Sequence, residues 1–368
     1  MSLPIDQKGA RENGEIPSVG TEMFTLKYAL TQYEPLSITG RAYEQSIRRQ
    51  IQLVGGIRDD DVVIDYAGGS GNSAFEIAMA NRNFGVIHVV DPSGMIDLAR
   101  RKFWKISDQA WAVMTDNISI PDLTRDRIEE QRVATRDIMD KVHFHRVSTE
   151  NAGFALGELL ADKAFIVQGF HWMSFSPTDI DGNNVDYARS ALGVIRSHLK
   201  KGGLFSFDES GLQFRYEDTE EGRRLNGAHL TNHAFHRAFV SELNALLAEL
   251  GLQGLNPEKL DRYHNMFDID TIKNLLEQSG FELVPTPEGK PYAVTEMPKS
   301  REQVTRFIRD GGPMRCFGRP ELQALPNDVK LSLVDRALES ALAIHGDLLD
   351  NPDYPIAETL AFFVAKAV

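Results

Sequence analysis

The chain carries one cysteine, Cys316, in 368 residues. A single thiol excludes an internal disulfide and fits a reducing compartment. No apolar run approaches the roughly 20 residues needed to cross a bilayer. The opening "MSLPIDQKGARENGEIP" also lacks the charged-then-apolar pattern of a secretory leader. Positive charge is in short supply: 40 Lys and Arg stand against 53 Asp and Glu, for a net charge of −13. An acidic surface argues against a nucleic-acid backbone or an anionic membrane as partner. Internal repeats and low-complexity tracts are missing as well. These absences predict a soluble, cytoplasmic protein whose partner is a small molecule.

What is present is alternation. Residues 1–20 are polar and aperiodic, an arm, and the chain then reads as helical to Val54 with a break at "EPLSITG". From there, "VVIDYAG", "GVIHVVDPS", "VHFHRVS", "KAFIVQGF" and "LFSFDE" read as strands separated by helical stretches. "VDYARSALGVIRSHLKKGG" has amphipathic spacing and ends on Gly202-Gly203, a helix-stop signal. Strands alternating with helices predict an α/β fold with a doubly wound, mostly parallel sheet. The expected organisation is an N-terminal arm and helical lid over 1–54 and an α/β core over 55–211. A helical insertion over 212–262, core continuation over 263–289, a second helical insertion over 290–350 and a final core strand over 351–368 complete it. Placed after the fifth and sixth strands, the insertions are expected to fold over the ligand edge as a lid.

The stretch "VVIDYAGGSGNSAFEIAMA", residues 62–80, runs from strand through a glycine turn into a helix. Gly69-x-Gly71-x-x-Ala74 satisfies a dinucleotide fingerprint, in which a diphosphate sits on the helix N-terminus. Asp65 stands where such a site is normally apolar. A carboxylate beside phosphate is repulsive by a few kcal/mol. A ligand with a sulfonium, an ammonium and no phosphate tolerates that acid, and glycines serve either by letting backbone approach closely.

Asp65-Tyr66-Ala67-Gly68-Gly69-Ser70-Gly71-Asn72 resembles the first motif of class I S-adenosylmethionine-dependent methyltransferases, in particular the D-x-A-G-G-x-G variant of the ubiquinone and menaquinone biosynthesis branch. The order of later motifs is similar. Asp91, in "VVDPSGMIDLARRK", matches the acid that takes both ribose hydroxyls; Pro92 follows it, and Met95 matches the methionine beside the adenine. "VSTENAGF", with Ser148, Thr149 and Glu150, matches the third-strand segment, where the family often has an acid for the adenine amino group and this chain has Ser148. "FIVQGFHWMSF" is similar to the fourth-strand segment, "VIRSHLKKGGLFSFDE" to the R-x-L-K-P-G-G element with Lys201 replacing Pro, and "DIDTIKNLLEQSGFELV" to the element before the sixth strand. The resemblance spans residues 62–284 and leaves out the arm and insertions. It implies a seven-stranded Rossmann-like sheet, S-adenosyl-L-methionine as cofactor and S-adenosyl-L-homocysteine as product. Asp65, Ala67, Gly68, Gly69, Gly71, Asp91, Pro92, Met95, Ser148, Thr149, Glu150 and Gln168 become the expected cofactor residues.

Other residues have two readings each. Asp91 also suits a helix N-cap, and Gln168 suits a satisfied buried amide. His171 is a candidate general base, or a packed histidine; Trp172 beside it stands at the expected crevice mouth. His229, His233 and His236 fall on one helix face, where a zinc ion, a polar pocket wall or a solvated face are the options, and no metal is expected. Tyr28, Tyr33 and Tyr43 are candidates for an aromatic cover. Arg215, with Arg223 and Arg224 nearby, Tyr263 and His264 complete the candidate substrate residues. The apolar face of the helix at 237–250 calls for cover by the sheet or by a second copy, so a homodimer stays open.

The favoured expectation is a methyltransferase acting on an O, N or C atom of a small molecule in specialised metabolism. Three rivals use the same residues. One is an enzyme that cyclises or transfers the aminobutyrate part of the cofactor and releases methylthioadenosine. The second is an NAD-dependent oxidoreductase, disfavoured by Asp65. The third is a sensor that binds the cofactor without turnover.

Overall fold

Strand formation by the apolar, β-branched runs and helix formation by the amphipathic ones organise the computed structural model, which describes residues 25–35, 37, 42–170, 185–210, 220–254, 269–286, 289–298, 300–316, 325–350 and 357–368. In chain order the main elements are α1 (Ala42–Leu53), β1 (Val62–Tyr66), α2 (Asn72–Ala80), β2 (Val86–Val90), α3 (Ile96–Lys102), α4 (Asp108–Thr115), α5 (Asp122–Thr135), β3 (Val142–His145), β4 (Ala161–Ile166), α6 (Val185–Ser197) and β5 (Leu199–Ser210). They continue with α7 (Glu220–Glu249), α8 (Ile269–Gln278), β6 (Phe281–Leu283), β7 (Ala293–Pro298), α9 (Arg301–Cys316), α10 (Asn327–His345) and β8 (Ala357–Ala367). Ahead of α1, a single α turn at Leu26–Tyr28 passes into a π turn at Ala29–Tyr33.

The protein is a mixed α/β structure. Its sheet runs β3-β2-β1-β4-β5-β8-β6, with β7 pairing to β8 off this path. The five strands from β3 to β5 are parallel, in registers such as Asp65↔Val89 and Asp65↔Phe165. The inner strand β1, Val62–Tyr66, is nearly continuous in apolar residues, as a strand covered on both faces must be, whereas the edge strand β3 alternates Val, His, Phe and His. From β1 the chain crosses to β2 on one side and β4 lies on the other, which makes the β1/β4 gap the switch point where the order reverses. Ligands of doubly wound sheets bind outside the strand C-termini at that gap.

The chain divides into two compact units, each with its own core. The first holds residues 1–208, 273–292 and 363–368. In it Val63, Phe75, Ile77, Phe84, Val89 and Phe165 are buried between sheet and helices, while Phe170, Phe207 and Phe363 stack ring on ring. The second unit holds residues 209–272 and 293–362. There Phe235, Phe239, Leu243 and Leu247 repeat every fourth position of α7, and pack with Val304 and Ile308 of α9 and Val334, Ala337, Leu338 and Ala341 of α10. One apolar stripe per helix accounts for that packing.

Three elements differ from the sequence reading. The sixth helix stops at Ser197, and β5 begins at Leu199, well before Gly202-Gly203. Those glycines are a strand irregularity: the β4–β5 register shifts between Ala161 and Lys163, Gly202 adopts φ +81°, and a Cβ on Gly203 would stand 3.0 Å from the Lys200 carbonyl oxygen. A bulge and a helix stop demand the same residue for the same reason, a left-handed backbone. Residues 293–298, read as part of a helical insertion, form β7 because the alternating Ala293-Val294-Thr295 run finds an antiparallel partner in the first half of β8. That strand also makes the sheet eight-stranded, where seven were expected. Among the described residues no helix is long and apolar enough to cross a membrane.

Candidate functional site

The C-terminal ends of β1, β2, β4 and β5 bring the candidate residues together. β1 delivers Asp65, fully buried, and Tyr66. The backbone then turns through Ala67 (φ +52°), Gly69 (φ +50°) and Gly71 (φ +78°) before α2 begins at Asn72. At Gly69 a Cβ would sit 3.1 Å from the Met95 methyl and 4.0 Å from Asp91 Oδ2. At Gly68 it would come within 2.6 Å of Asp65 Oδ2. The turn therefore presents bare backbone between two carboxylates.

Asp91, buried just past β2, accepts from the Gly69 amide through Oδ2 at 2.8 Å. Its Oδ1 accepts from the Ser93 amide at 2.8 Å and the Ser93 hydroxyl at 2.5 Å. Asp91 thus fixes the glycine turn whatever else it binds, and one carboxylate acceptor position remains for a ligand. Asp65 Oδ2 accepts from Ser73 Oγ at 2.5 Å, while Asp65 Oδ1 is buried with no hydrogen-bond partner. Burial raises the Asp65 carboxyl to about 7, with Ser73 opposing the shift and the Asp91 charge adding to it. Burial likewise pushes Asp91 up, against the hydrogen bonds from Ser93 and Gly69. Two buried acids flank the turn, and each keeps an unused acceptor position.

Past β4, Gln168 adopts φ +48°, and its amide N–H donates to Asp208 Oδ1 at 2.9 Å. The same oxygen accepts from Gln50 Nε2 at 2.7 Å, and that amide group also donates to the Ile166 carbonyl at 2.9 Å. A residue of α1 thereby ties the end of β4 to the end of β5. The side-chain Nε2 of Gln168 is a buried donor with no partner among the described residues, which leaves it available to a ligand. A buried orphan donor costs about 1–3 kcal/mol.

Met95 is buried and packs with Leu98, Ala29 and Leu30, against which Tyr28 and Tyr33 also lie. The tyrosines form a cluster of their own, with ring centroids 4.9 Å apart for Tyr33–Tyr43 and 6.3 Å for Tyr28–Tyr33. Ser148 and Thr149 are buried beside Asn151, which donates to Ser148 Oγ at 2.9 Å. Glu150 accepts a hydrogen bond from the Tyr187 phenol of α6. The acid nearest the expected adenine position is thus already engaged. Pro92 and Ala67 are half-buried at the rim.

His171, Trp172, Arg215, Tyr263 and His264 lie outside the described residues, as do the side chains of His229 and His233. Among the described residues no group of three His, Cys, Asp or Glu is arranged to hold a metal ion.

Sequence reasoning missed a buried polar cluster on the far side of the turn. Glu34 and Lys102, both essentially inaccessible, pair at 2.9 Å. The same Glu34 Oε1 accepts from Ser70 Oγ at 2.5 Å and Asn72 Nδ2 at 3.0 Å, and Lys102 also donates to Asn72 Oδ1 at 2.8 Å. The one available signal was the single charged residue in an otherwise uncharged, aromatic-bearing stretch, "YALTQYEPL".

No protein-family model matches the chain, and no curated protein does. Solved structures are similar to it at low identity. The [4+2]-cyclase SpnF is 12% identical over 96% of this chain and 97% of its own, with a TM-score of 0.46. Geranyl diphosphate C-methyltransferase from Streptomyces coelicolor A3(2), solved with geranyl diphosphate and S-adenosyl-L-homocysteine, is 13% identical over 91% of this chain and 84% of its own, with a TM-score of 0.40. Phosphoethanolamine N-methyltransferase 2 from Haemonchus contortus, solved with S-adenosylhomocysteine, is 13% identical over 91% of this chain and 56% of its own, again with a TM-score of 0.40. Likeness of this degree lends this chain neither an activity nor a substrate.

Proposed function

We propose that the protein is an S-adenosyl-L-methionine-dependent methyltransferase acting on an O, N or C atom of a small molecule. The observation that carries this reading is the bare glycine turn held between two buried carboxylates, Asp65 and Asp91. A diphosphate on that turn would meet Asp65, at about 4 kcal/mol for a charge pair 4 Å apart in a dielectric near 20, while an acid at the position of Asp91 serves the ribose of either kind of cofactor. A cofactor carrying hydroxyl donors and cationic groups meets acceptors instead. The residues fit such a group. The remaining acceptor position of Asp91 suits a ribose hydroxyl, Asp65 Oδ1 suits a donor or a cation, and the orphan Gln168 Nε2 suits a carboxylate. The bare Gly69 backbone beside Met95 suits a flat ring.

When bound, the cofactor supplies a methyl group made electrophilic by its sulfonium. The chain's own residues then do the positioning. Asp91 holds the turn and the ribose together, Gln168 orients the amino-acid end, and Asp65 places negative charge beside the positive cofactor. Alignment of nucleophile, methyl carbon and sulfur is the main catalytic contribution of such a site. His171 is assigned the proton of an oxygen or nitrogen nucleophile.

Denaturing freshly purified protein and identifying the released small molecules by mass spectrometry tests the reading. S-adenosyl-L-methionine or S-adenosyl-L-homocysteine is expected. Methylthioadenosine accumulating on incubation with the cofactor would redirect it to cleavage of the other carbon–sulfur bond. A nicotinamide, with no affinity for S-adenosyl-L-methionine, would sink it. In addition, Asp91→Asn replaces one accepting oxygen by a donor that faces either Gly69 or Ser93, so the dissociation constant for S-adenosyl-L-homocysteine should rise about tenfold, one charge-assisted hydrogen bond's worth. Calorimetric titration showing unchanged affinity would remove Asp91 from the site.

A further inference from the structure

We propose that Glu34 is a positioning residue that fastens the segment at 25–35 to the glycine turn, and that this fastening sets how fast the cofactor leaves. The inference rests on the cofactor reading above. Three donors converge on Glu34 Oε1, and two of them belong to the turn itself: Ser70 Oγ at 2.5 Å and Asn72 Nδ2 at 3.0 Å. The third, Lys102 Nζ at 2.9 Å, comes from α3 and also holds Asn72 Oδ1. Ser70 and Asn72 bracket Gly71, so the two contacts grip the turn on either side of its left-handed residue.

Stability alone does not call for a charged pair here. Glu34 and Lys102 are 1% and 0% exposed, and apolar residues of similar volume at such a place are often neutral or stabilising. What the pair adds is a single geometry for the turn, conditional on the segment being seated. The segment also lies against the other boundary of the turn: Ala29 and Leu30, with Tyr28 and Tyr33, pack on Met95, whose methyl marks the limit of space over Gly69. A π turn at Ala29–Tyr33 immediately precedes Glu34. Such turns are uncommon and recur at functional sites, because the extra residue re-aims the side chains that follow. A molecule seated on the Gly69 backbone therefore has this segment behind both of its protein neighbours, and unseating the segment loosens both of them at once.

The test uses S-adenosyl-L-homocysteine as probe. Glu34→Leu combined with Lys102→Met removes the grip and strands no buried charge. Dissociation measured by stopped flow should accelerate at least tenfold in a variant whose melting temperature stays within a few degrees of the parent's. By hydrogen exchange, the Gly69, Gly71 and Glu34 amides should lose protection together. A folded variant that releases the probe within twofold of the parent rate overturns the proposal, as do amide protections that change independently. Should that variant fail to fold, Glu34→Gln with Lys102→Met weakens the contacts to Ser70 and Asn72 from charge-assisted to neutral hydrogen bonds; release three to five times faster is expected, and an unchanged rate refutes the idea. If the parent binds neither S-adenosyl-L-methionine nor its product, the cofactor reading falls and takes the gating with it. Exchange in the ligand-free parent then still decides whether segment and turn open as one, which separates the two failures.

Discussion

Affinity for S-adenosyl-L-methionine should rise steeply between pH 5 and 7 and level off above. Asp65 sits at about 7 in the free protein because burial disfavours its charged form. A cofactor with a sulfonium and an ammonium favours the ionised carboxylate, so binding at low pH must first expel a proton. Each unit below the free-protein value costs up to a factor of ten, on the order of 1.4 kcal/mol. Over two units this approaches a hundredfold, and titrations in buffers of different ionisation enthalpy should register the proton released. Asp65→Asn should flatten the profile and hold affinity at its low-pH level. A parent protein with pH-independent affinity would show that Asp65 does not face the cofactor's charge.

The same group makes an opposite statement about stability. Its folded value lies above the ordinary 3.8. The contribution of the protonated form is complete below that ordinary value and is lost as pH rises through about 7. At pH 8 the parent therefore carries the burial penalty of a charged Asp65, and Asp65→Asn should be more stable there by roughly 2–4 kcal/mol. A substitution that stabilises the fold while weakening binding is the signature of a residue kept for its ligand.

Gly71→Ala should cost about 2–5 kcal/mol, seen as a marked fall in melting temperature and loss of cofactor binding. Two terms contribute. Gly71 adopts φ +78°, which costs an L-residue roughly 1–2 kcal/mol. Its missing Cβ would also stand 2.8 Å from the Ala99 Cβ and 3.2 Å from the Ala99 Cα of α3, and overpacking of that kind costs about 1–3 kcal/mol. Combining Gly71→Ala with Ala99→Gly removes the nearest clash. The backbone strain and the close approach to the main chain of α3 remain, so the pair should restore part of the loss. Full restoration would mean that the left-handed conformation is unimportant; no restoration would mean that α3 does not approach the turn.

The sheet core was legible in the sequence because its signals are local. Apolar strands such as Val62–Tyr66 and Val86–Val90 announce themselves by composition, and the glycine turn by spacing. Asp65 and Asp91 were found because each closes a strand. Side-chain partners distant in sequence were not legible: Glu34 meets Lys102 across 68 residues, and Gln50 meets Asp208 across 158. Nothing in "ARRKFWK" distinguishes Lys102, wholly buried, from Lys105, which is exposed. Gly202-Gly203 was misread for another reason, since a bulge and a helix stop pose the same steric demand. The acid expected near the adenine was placed by motif position, and the Tyr187 phenol that occupies Glu150 comes from α6, outside that motif.

The strand order also imposes a schedule on synthesis. β5 ends at Ser210, yet one of its two neighbours, β8, begins at Ala357. At 5–20 residues per second, a ribosome needs roughly 7 to 30 s to make the intervening chain. Throughout that interval β5 offers a bare row of amides and carbonyls, the kind of edge that invites pairing with another chain. The nascent protein spends that interval exposed at the strand that carries Asp208.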